Sequence, residues 1–179
     1  MKKSQSIELL QFLKNVPLLK DISEQYLKVM LDFLHMRTCK SGEVIIREGE
    51  KGESMFFLFK GKVSITKRLT LFGEIDGKGE LDKTIIKLKD SDFAFFGEMS
   101  LCAIYQSQEV RSATVSAETD CLLGEISADK INELVQEHQD FGMIFYRNLS
   151  NILADRLRKA NRDVLKLTTA LTLALEERS

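Results

Sequence analysis

From Ser4 to Leu34 the apolar residues recur at helical spacing: Ile7, Leu10, Phe12 and Leu13, then, after the only proline, Leu27, Met30, Leu31 and Leu34. Apolar positions three and four apart share one helix face, so this stretch predicts two short helices separated at Pro17. Ser23 stands where the second helix needs an N-cap, although Tyr26 occupies the place of the Glu or Gln of a capping box. The period then shortens to two and glycine becomes the punctuation. Residues 44–46 and 55–59 predict strands around a Gly49/Gly52 turn, Lys60-Gly61-Lys62 predicts a hairpin, and Val63 and Ile65 alternating with Ser64 and Thr66 predict a strand with one face in a core. A long loop at 71–83 carries Gly73, Gly77 and Gly79; it precedes a strand around Ile85, Ile86 and Leu88, and two further strands are predicted at 112–117 and 120–126. Short strands at turn-punctuated spacing across 36–127, without strand and helix alternating, predict a β-roll or jelly roll rather than a parallel sheet.

From Ser127 the helical period returns, first in SADKINELVQEH and then in a longer run without proline and with glycine only at Gly142. In that run Leu157, Val164 and Leu171 fall at heptad position a, and Leu153, Ala160, Leu167 and Ala174 at position d. Nothing remains in the chain to cover such a seam along its length, so it predicts a parallel homodimer through the C-terminal helix. The alternative is that the helix folds back over the strands as an amphipathic cover. The predicted class is therefore α+β with a mainly β core, a double-stranded β-helix or jelly roll flanked by N-terminal helices and a long C-terminal dimerisation helix. Residues 1–137 form the helices and roll, and residues 138–179 the coiled-coil helix.

Composition narrows the function. Hydrophobic residues make up 44% and charged residues 30%, enough for a core and a wetted surface, and 26 Lys and Arg against 27 Asp and Glu leave a net charge of −1. No bulk field draws the chain to nucleic acid or anionic lipid. Cys39, Cys102 and Cys121 are far apart and show no metal-ligand spacing, and His35 and His138 stand alone, which predicts reduced thiols in a cytoplasmic protein and no metal. The basic start MKKSQSIELLQFLKNVPLL lacks an unbroken apolar stretch and a cleavage site, and no segment reaches the roughly 18 apolar residues of a membrane span, so neither export nor a membrane is expected.

The chemistry concentrates in FFGEMSLCAIYQSQEVRSATV, residues 95–115. The amides that open a short helix at Glu98, Met99 and Ser100 suit an anionic phosphate, Arg111 offers it a planar fork of donors, and Ser112 adds a hydroxyl. Glu98, an acceptor, suits a sugar hydroxyl, and Gly97 lets backbone approach closely, although Phe95 and Phe96 crowd that approach. The two opposite charges can thus read two ends of one sugar-phosphate.

At these residues the sequence resembles the cyclic-nucleotide-binding domain family, which includes catabolite activator proteins and regulatory subunits of cyclic-AMP-dependent protein kinase. FGEMSL is similar to the start of the family's phosphate-binding cassette and RSATV to its end, and EGEKGESMFFLFKGKVSI, residues 48–65, is similar to the glycine-punctuated strands before it. The resemblance implies a cyclic nucleotide ligand, cyclic AMP ahead of cyclic GMP as the commoner choice in the family. It implies that Glu98 meets the ribose 2′-hydroxyl, that Arg111 and Ser112, beside Ala113, meet the cyclic phosphate, and that the amides near Gly97, Glu98, Met99 and Ser100 meet phosphate oxygens. It implies that the helix after the roll contacts the base, with Asn161 the candidate and Arg158 the alternate. The segment between Leu101 and Arg111 is longer than usual for the family.

No Ser/His/Asp or Cys/His constellation, HExxH or P-loop occurs, so no catalysis is expected. The chain stops at Ser179, leaving no residues for the helix-turn-helix of the family's transcription factors, so no DNA reading is expected. The run Arg156, Arg158, Lys159, Arg162, Lys166, interrupted by Asp155 and Asp163, reads as a solvated flank of the coiled coil. The expected activity is that of a sensor whose hinge near Phe141-Gly142 moves the long helix and whose output passes to an effector protein. The competing reading is an interaction module with a degenerate cassette in which Glu98 and Arg111 pair with each other.

Overall fold

Pro17 has a fixed φ and no amide hydrogen, so it can begin a helix but not continue one. Helix α1, Lys3–Asn15, accordingly stops short of it, a single 3-10 turn runs from Pro17 to Leu19, and α2 spans Glu24–Phe33. The computed structural model describes residues 3–68, 82–102 and 110–176, so the predicted 71–83 loop lies, up to residue 81, outside the described residues. Ser23 occupies the N-cap of α2 with extended backbone but without a side-chain cap. Tyr26, three residues on, serves a different purpose: its hydroxyl donates to the Asp140 carboxylate at 2.9 Å, and its ring lies 4.8 Å from that of His138. That bond holds the Asp140 carboxyl below its ordinary range and raises the Tyr26 phenol.

The described strands are β1 (His35–Cys39), β2 (Val44–Ile46), β3 (Ser54–Lys60), β4 (Lys62–Arg68), β5 (Asp82–Lys89), β6 (Phe95–Phe96), β7 (Thr114–Ala117) and β8 (Cys121–Ser127). They form two four-stranded antiparallel sheets, in the orders β1-β8-β3-β6 and β2-β7-β4-β5, the jelly-roll arrangement expected from the sequence. The Lys60-Gly61-Lys62 hairpin is corrected: β3 and β4 belong to different sheets, and β4 pairs with β5 instead. Gly61 makes the corner between sheets, with φ +100° and a position where a Cβ would lie 2.6 Å from the Asp120 carbonyl oxygen.

The first sheet is covered on both faces, and the period of two sorts its side chains between two cores. Met55 and Phe57 of β3 and Phe95 of β6 join the core beneath the helices, whereas Phe56, Leu58 and Phe96 join the core between the sheets, where the Phe56 and Phe96 rings stack at 5.2 Å. Phe95 and Phe96 therefore do not crowd Gly97; they anchor the strand that leads into it.

Helix α3, Ala128–Glu137, is capped by the Ser127 hydroxyl accepting from the Lys130 amide, and α4 runs from Gln139 to Glu176. The chain breaks between them at His138 (φ −135°, ψ 90°), earlier than the hinge expected at Phe141-Gly142. Those two residues are buried inside α4, and Gly142 gives α3 room, since a Cβ there would meet Val135 Cγ1 at 2.8 Å. The root of α4 shares the helical core: Phe141, Phe145 and Leu149 are buried, and the buried Asn148 amide donates to the carbonyls of Leu18 (3.1 Å) and Lys20 (2.7 Å). At about 1.5 Å per residue α4 is about 57 Å long, and beyond residue 154 it stands exposed, Leu157, Val164 and Leu171 included. It does not fold back over the roll. Replacing Asn148 by Ala strands two carbonyls at the root of α4, and urea unfolding is expected to show stability lowered by about 2 kcal/mol.

Candidate functional site

Arg111 is held by its backbone before its side chain acts. Its amide donates to the Glu50 carbonyl (2.8 Å), its carbonyl accepts from the Gly49 amide (2.9 Å), and Val110 bridges to Lys51, so the glycine turn predicted before β3 is clamped onto this segment. Gly49 takes a left-handed φ of +83°. Gly52 is demanded by space, because a Cβ there would lie 1.9 Å from Arg111 Nε.

Among the described residues, the half-buried guanidinium meets only uncharged oxygens. Nη1 donates to the Ser54 carbonyl at 2.8 Å and, at 3.5 Å, to that of Gly97; Nη2 donates to the Ser54 hydroxyl at 3.3 Å. The Ser54 hydroxyl in turn donates to Glu125 at 2.7 Å, so that carboxylate acts on Arg111 through Ser54. Among the described residues no carboxylate lies within ion-pair distance of Arg111. Burial pushes the guanidinium below its ordinary pKa, and Glu125 offsets part of that. A guanidinium so placed has donors and charge to offer an anion.

Strand β6 delivers the chain to Gly97 (φ +80°), where a Cβ would lie 3.0 Å from the Ser54 carbonyl oxygen and 3.1 Å from Arg111 Nη1. A 3-10 turn follows at Glu98–Cys102. Leu101 is buried in the helical core and pins the turn, while Met99 points outward, 57% exposed. The Ser100 hydroxyl and amide both donate to the Gly97 carbonyl, at 2.8 and 3.2 Å, so the Ser100 amide is already engaged; of the expected phosphate donors, those of Glu98 and Met99 open the turn. The exposed Ser112 hydroxyl reaches Met99 Sδ at 3.6 Å, which brings the two ends of the cassette together, and Ala113 follows half-buried. Residues 103–109, most of the long segment between these ends, lie outside the described residues.

Glu98 is buried, and it does not pair with Arg111. Its partner is Arg156 of α4, whose Nη1 donates to Oε1 and whose guanidinium stands 5.4 Å above the Phe95 ring. The sequence marked Arg156 only as part of a basic helix flank, with no signal to separate it from the other basic residues of that run. Arg158 and Asn161 are not brought to the cassette. At about 100° per residue they lie about 200° and about 140° round the helix from Arg156. Both are exposed, and Arg158 pairs with Asp155 instead.

The sequence model of the cyclic nucleotide-binding domain matches residues 36–138, from β1 to the break before α4. The chain belongs to the cyclic nucleotide-binding domain family. It is 34% identical over 170 residues to human cGMP-dependent protein kinase 2, covering 92% of this chain and 20% of the kinase. It is 36% identical over 140 residues to the cAMP-activated global transcriptional regulator Vfr of Pseudomonas aeruginosa, covering 78% of this chain and 59% of the regulator. The chain thus spans a fifth to about three fifths of these relatives. The crystal structure of Thermus thermophilus catabolite activator protein shares the fold with a TM-score of 0.68 at 24% identity, over 85% of this chain and 63% of that one.

Within this cyclic nucleotide-binding domain Gly52 is the residue that leaves room for Arg111. Gly52→Ala is expected to displace the guanidinium, read as a shifted Arg111 Nε–Hε resonance in nitrogen-edited NMR, while the stacked Phe56 and Phe96 rings between the sheets keep their resonances.

Proposed function

We propose that the chain is a non-catalytic cyclic-nucleotide sensor that binds cyclic AMP (cAMP), with cyclic GMP as the second candidate, and signals as a homodimer through α4 to an effector protein. The observation that carries this reading is the half-buried Arg111 guanidinium at the cassette, answered among the described residues by carbonyl and hydroxyl oxygens rather than by a carboxylate. On this reading Arg111 and the Ser112 hydroxyl take the cyclic phosphate together with the Glu98 and Met99 amides, and Glu98 accepts from the sugar 2′-hydroxyl. Gly97 and Ala113 keep the two ends of the cassette close to the ligand. The relatives' names include both cyclic AMP and cyclic GMP, and the preference for cyclic AMP follows the bacterial regulator.

Dimerisation rests on the outer half of α4, where Leu157, Val164, Leu167 and Leu171 are 59–65% exposed along one heptad seam. In a parallel pair Asn161, at position e, lies beside the partner's helix, so a base contact from Asn161 or Arg158 would have to reach a cassette as the helices rearrange. The setting proposed is the cytoplasm, where Cys39 and Cys121, buried and directly opposite each other across β1 and β8, stay as thiols.

Calorimetric titration with cyclic AMP and cyclic GMP is expected to show saturable binding with the nucleotide recovered unchanged. Arg111→Ala is expected to weaken it at least about 100-fold, the loss of a charge-assisted contact of about 3 kcal/mol. Absence of binding to either nucleotide would return the chain to an interaction module built on the same roll and helix. In sedimentation the protein is expected to run as a dimer. The double change Val164→Asp and Leu171→Asp is expected to make it monomeric without lowering the melting temperature of the roll.

A further inference from the structure

Ser54 opens β3 opposite Ser127 of β8, and Glu125 lies two residues before that partner, so the Ser54 and Glu125 side chains stand diagonally on one face of the first sheet. The Ser54 hydroxyl accepts from Arg111 Nη2 at 3.3 Å and donates to Glu125 at 2.7 Å. Glu125 is thereby the carboxylate that acts on Arg111, and it offsets part of what burial does to the guanidinium. Of the bases that β1 brings beside Glu125, His35 stands directly opposite and exposed, and Arg37 is taken by Glu43 at 3.0 Å.

The charges near the phosphate site are few. Among the described residues of the cassette and of the glycine turn clamped onto it, Arg111 is the cation that is not exposed; Arg47 and Lys51 are exposed, Arg47 against Glu50. Glu98 already has Arg156. The segment 103–109 contains Glu109 and neither Lys nor Arg. One half-buried positive charge, with a carboxylate one hydroxyl behind it, suits a single negative charge better than two. A cyclic phosphate is a diester and carries one charge. Opening its ring leaves a monoester whose second ionisation, near pH 6, gives it two. Coulomb energy is proportional to charge, so a fixed carboxylate behind the arginine opposes the monoester twice as strongly as the diester.

We propose that Glu125, acting through Ser54 on Arg111, determines specificity by charge, favouring a singly charged cyclic phosphodiester over the doubly charged 5′-monoester left when the ring is opened. This rests on the cyclic-nucleotide reading above. Glu125 touches no ligand and is a positioning residue: the Ser54 hydroxyl keeps its carboxylate close enough to oppose an extra negative charge and too far to take the donors of Arg111. The cassette then discriminates between the ring-closed signal and its hydrolysis product by field as well as by shape.

The test uses the full chain at pH 8 and low ionic strength, where the monoester is a dianion and screening is weak. Cyclic AMP and cyclic GMP are titrated by calorimetry, and the matching 5′-monophosphate is measured by competition. Glu125→Gln and Glu125→Ala remove the charge with and without an acceptor for the Ser54 hydroxyl, Glu125→Asp keeps the charge, and thermal melting checks folding. Glu125→Gln is expected to bind the cyclic nucleotide about threefold tighter and the monophosphate about tenfold tighter, close to the square of the first gain because the charge doubles. Glu125→Ala is expected to narrow the ratio of the two affinities about threefold in the same way, whatever its absolute affinity, and Glu125→Asp to keep the wild-type ratio. An unchanged or wider ratio in the two neutral variants would overturn the proposal while leaving the nucleotide site standing. A monophosphate that competes with none of the proteins would also overturn it, because discrimination would then rest on shape. If neither cyclic nucleotide binds any of the proteins, the cassette reading itself fails and the charge selection with it.

Discussion

The Arg111 guanidinium is enclosed by the glycine turn at 49–52, the first residue of β3 and the start of the cassette, and the oxygens that hold it carry no full charge. Its position dictates much around it. Gly52 is bare because Nε occupies the space of a Cβ, Gly97 bends back so that its carbonyl faces Nη1, and Ser54 stands between the guanidinium and Glu125. A carboxylate in direct contact would satisfy the charge and leave nothing for a ligand. Placing Glu125 one hydroxyl away steadies the cation while keeping its donors for an anion.

Glu98, on the other side of Gly97, faces the opposite constraint, a buried negative charge that needs a donor at all times. The donor comes from α4, and the turn that carries Glu98 is pinned by Leu101 in the same core that holds Phe141, Phe145 and Leu149 at the root of that helix. The cassette and α4 are therefore joined twice, by the Glu98–Arg156 ion pair and by an apolar contact that cannot be lost cheaply. Tyr26 to Asp140 and Asn148 to the Leu18 and Lys20 carbonyls tie the same root to the N-terminal helices. Beyond Arg156 no such anchors remain among the described residues of α4.

Local pattern made the helices, the alternating strands of the second sheet and the cassette motif readable, because each depends on spacing within a few residues. The failures lie where long-range contacts decide. β1, with the mixed sequence HMRTC, is a strand only because β8 pairs with it. Gly61 reads as a hairpin until the two strands it joins are seen in different sheets. Phe95 and Phe96 look like an obstruction in sequence, whereas alternation sends one into each core. Arg111 and Glu98 were legible as chemistry, but their partners were not: Ser54 lies 57 residues from Arg111 and Arg156 lies 58 from Glu98. In a basic run of five, only the fold distinguishes the arginine that turns toward the roll from those that turn away.

A crystal structure of the chain with cyclic AMP tests the central claim most directly. The phosphate is expected within hydrogen-bond distance of Arg111, with Ser54 still supporting the guanidinium and the sugar 2′-hydroxyl on Glu98. A nucleotide bound elsewhere, or a cassette from which Arg111 makes no phosphate contact, would contradict it.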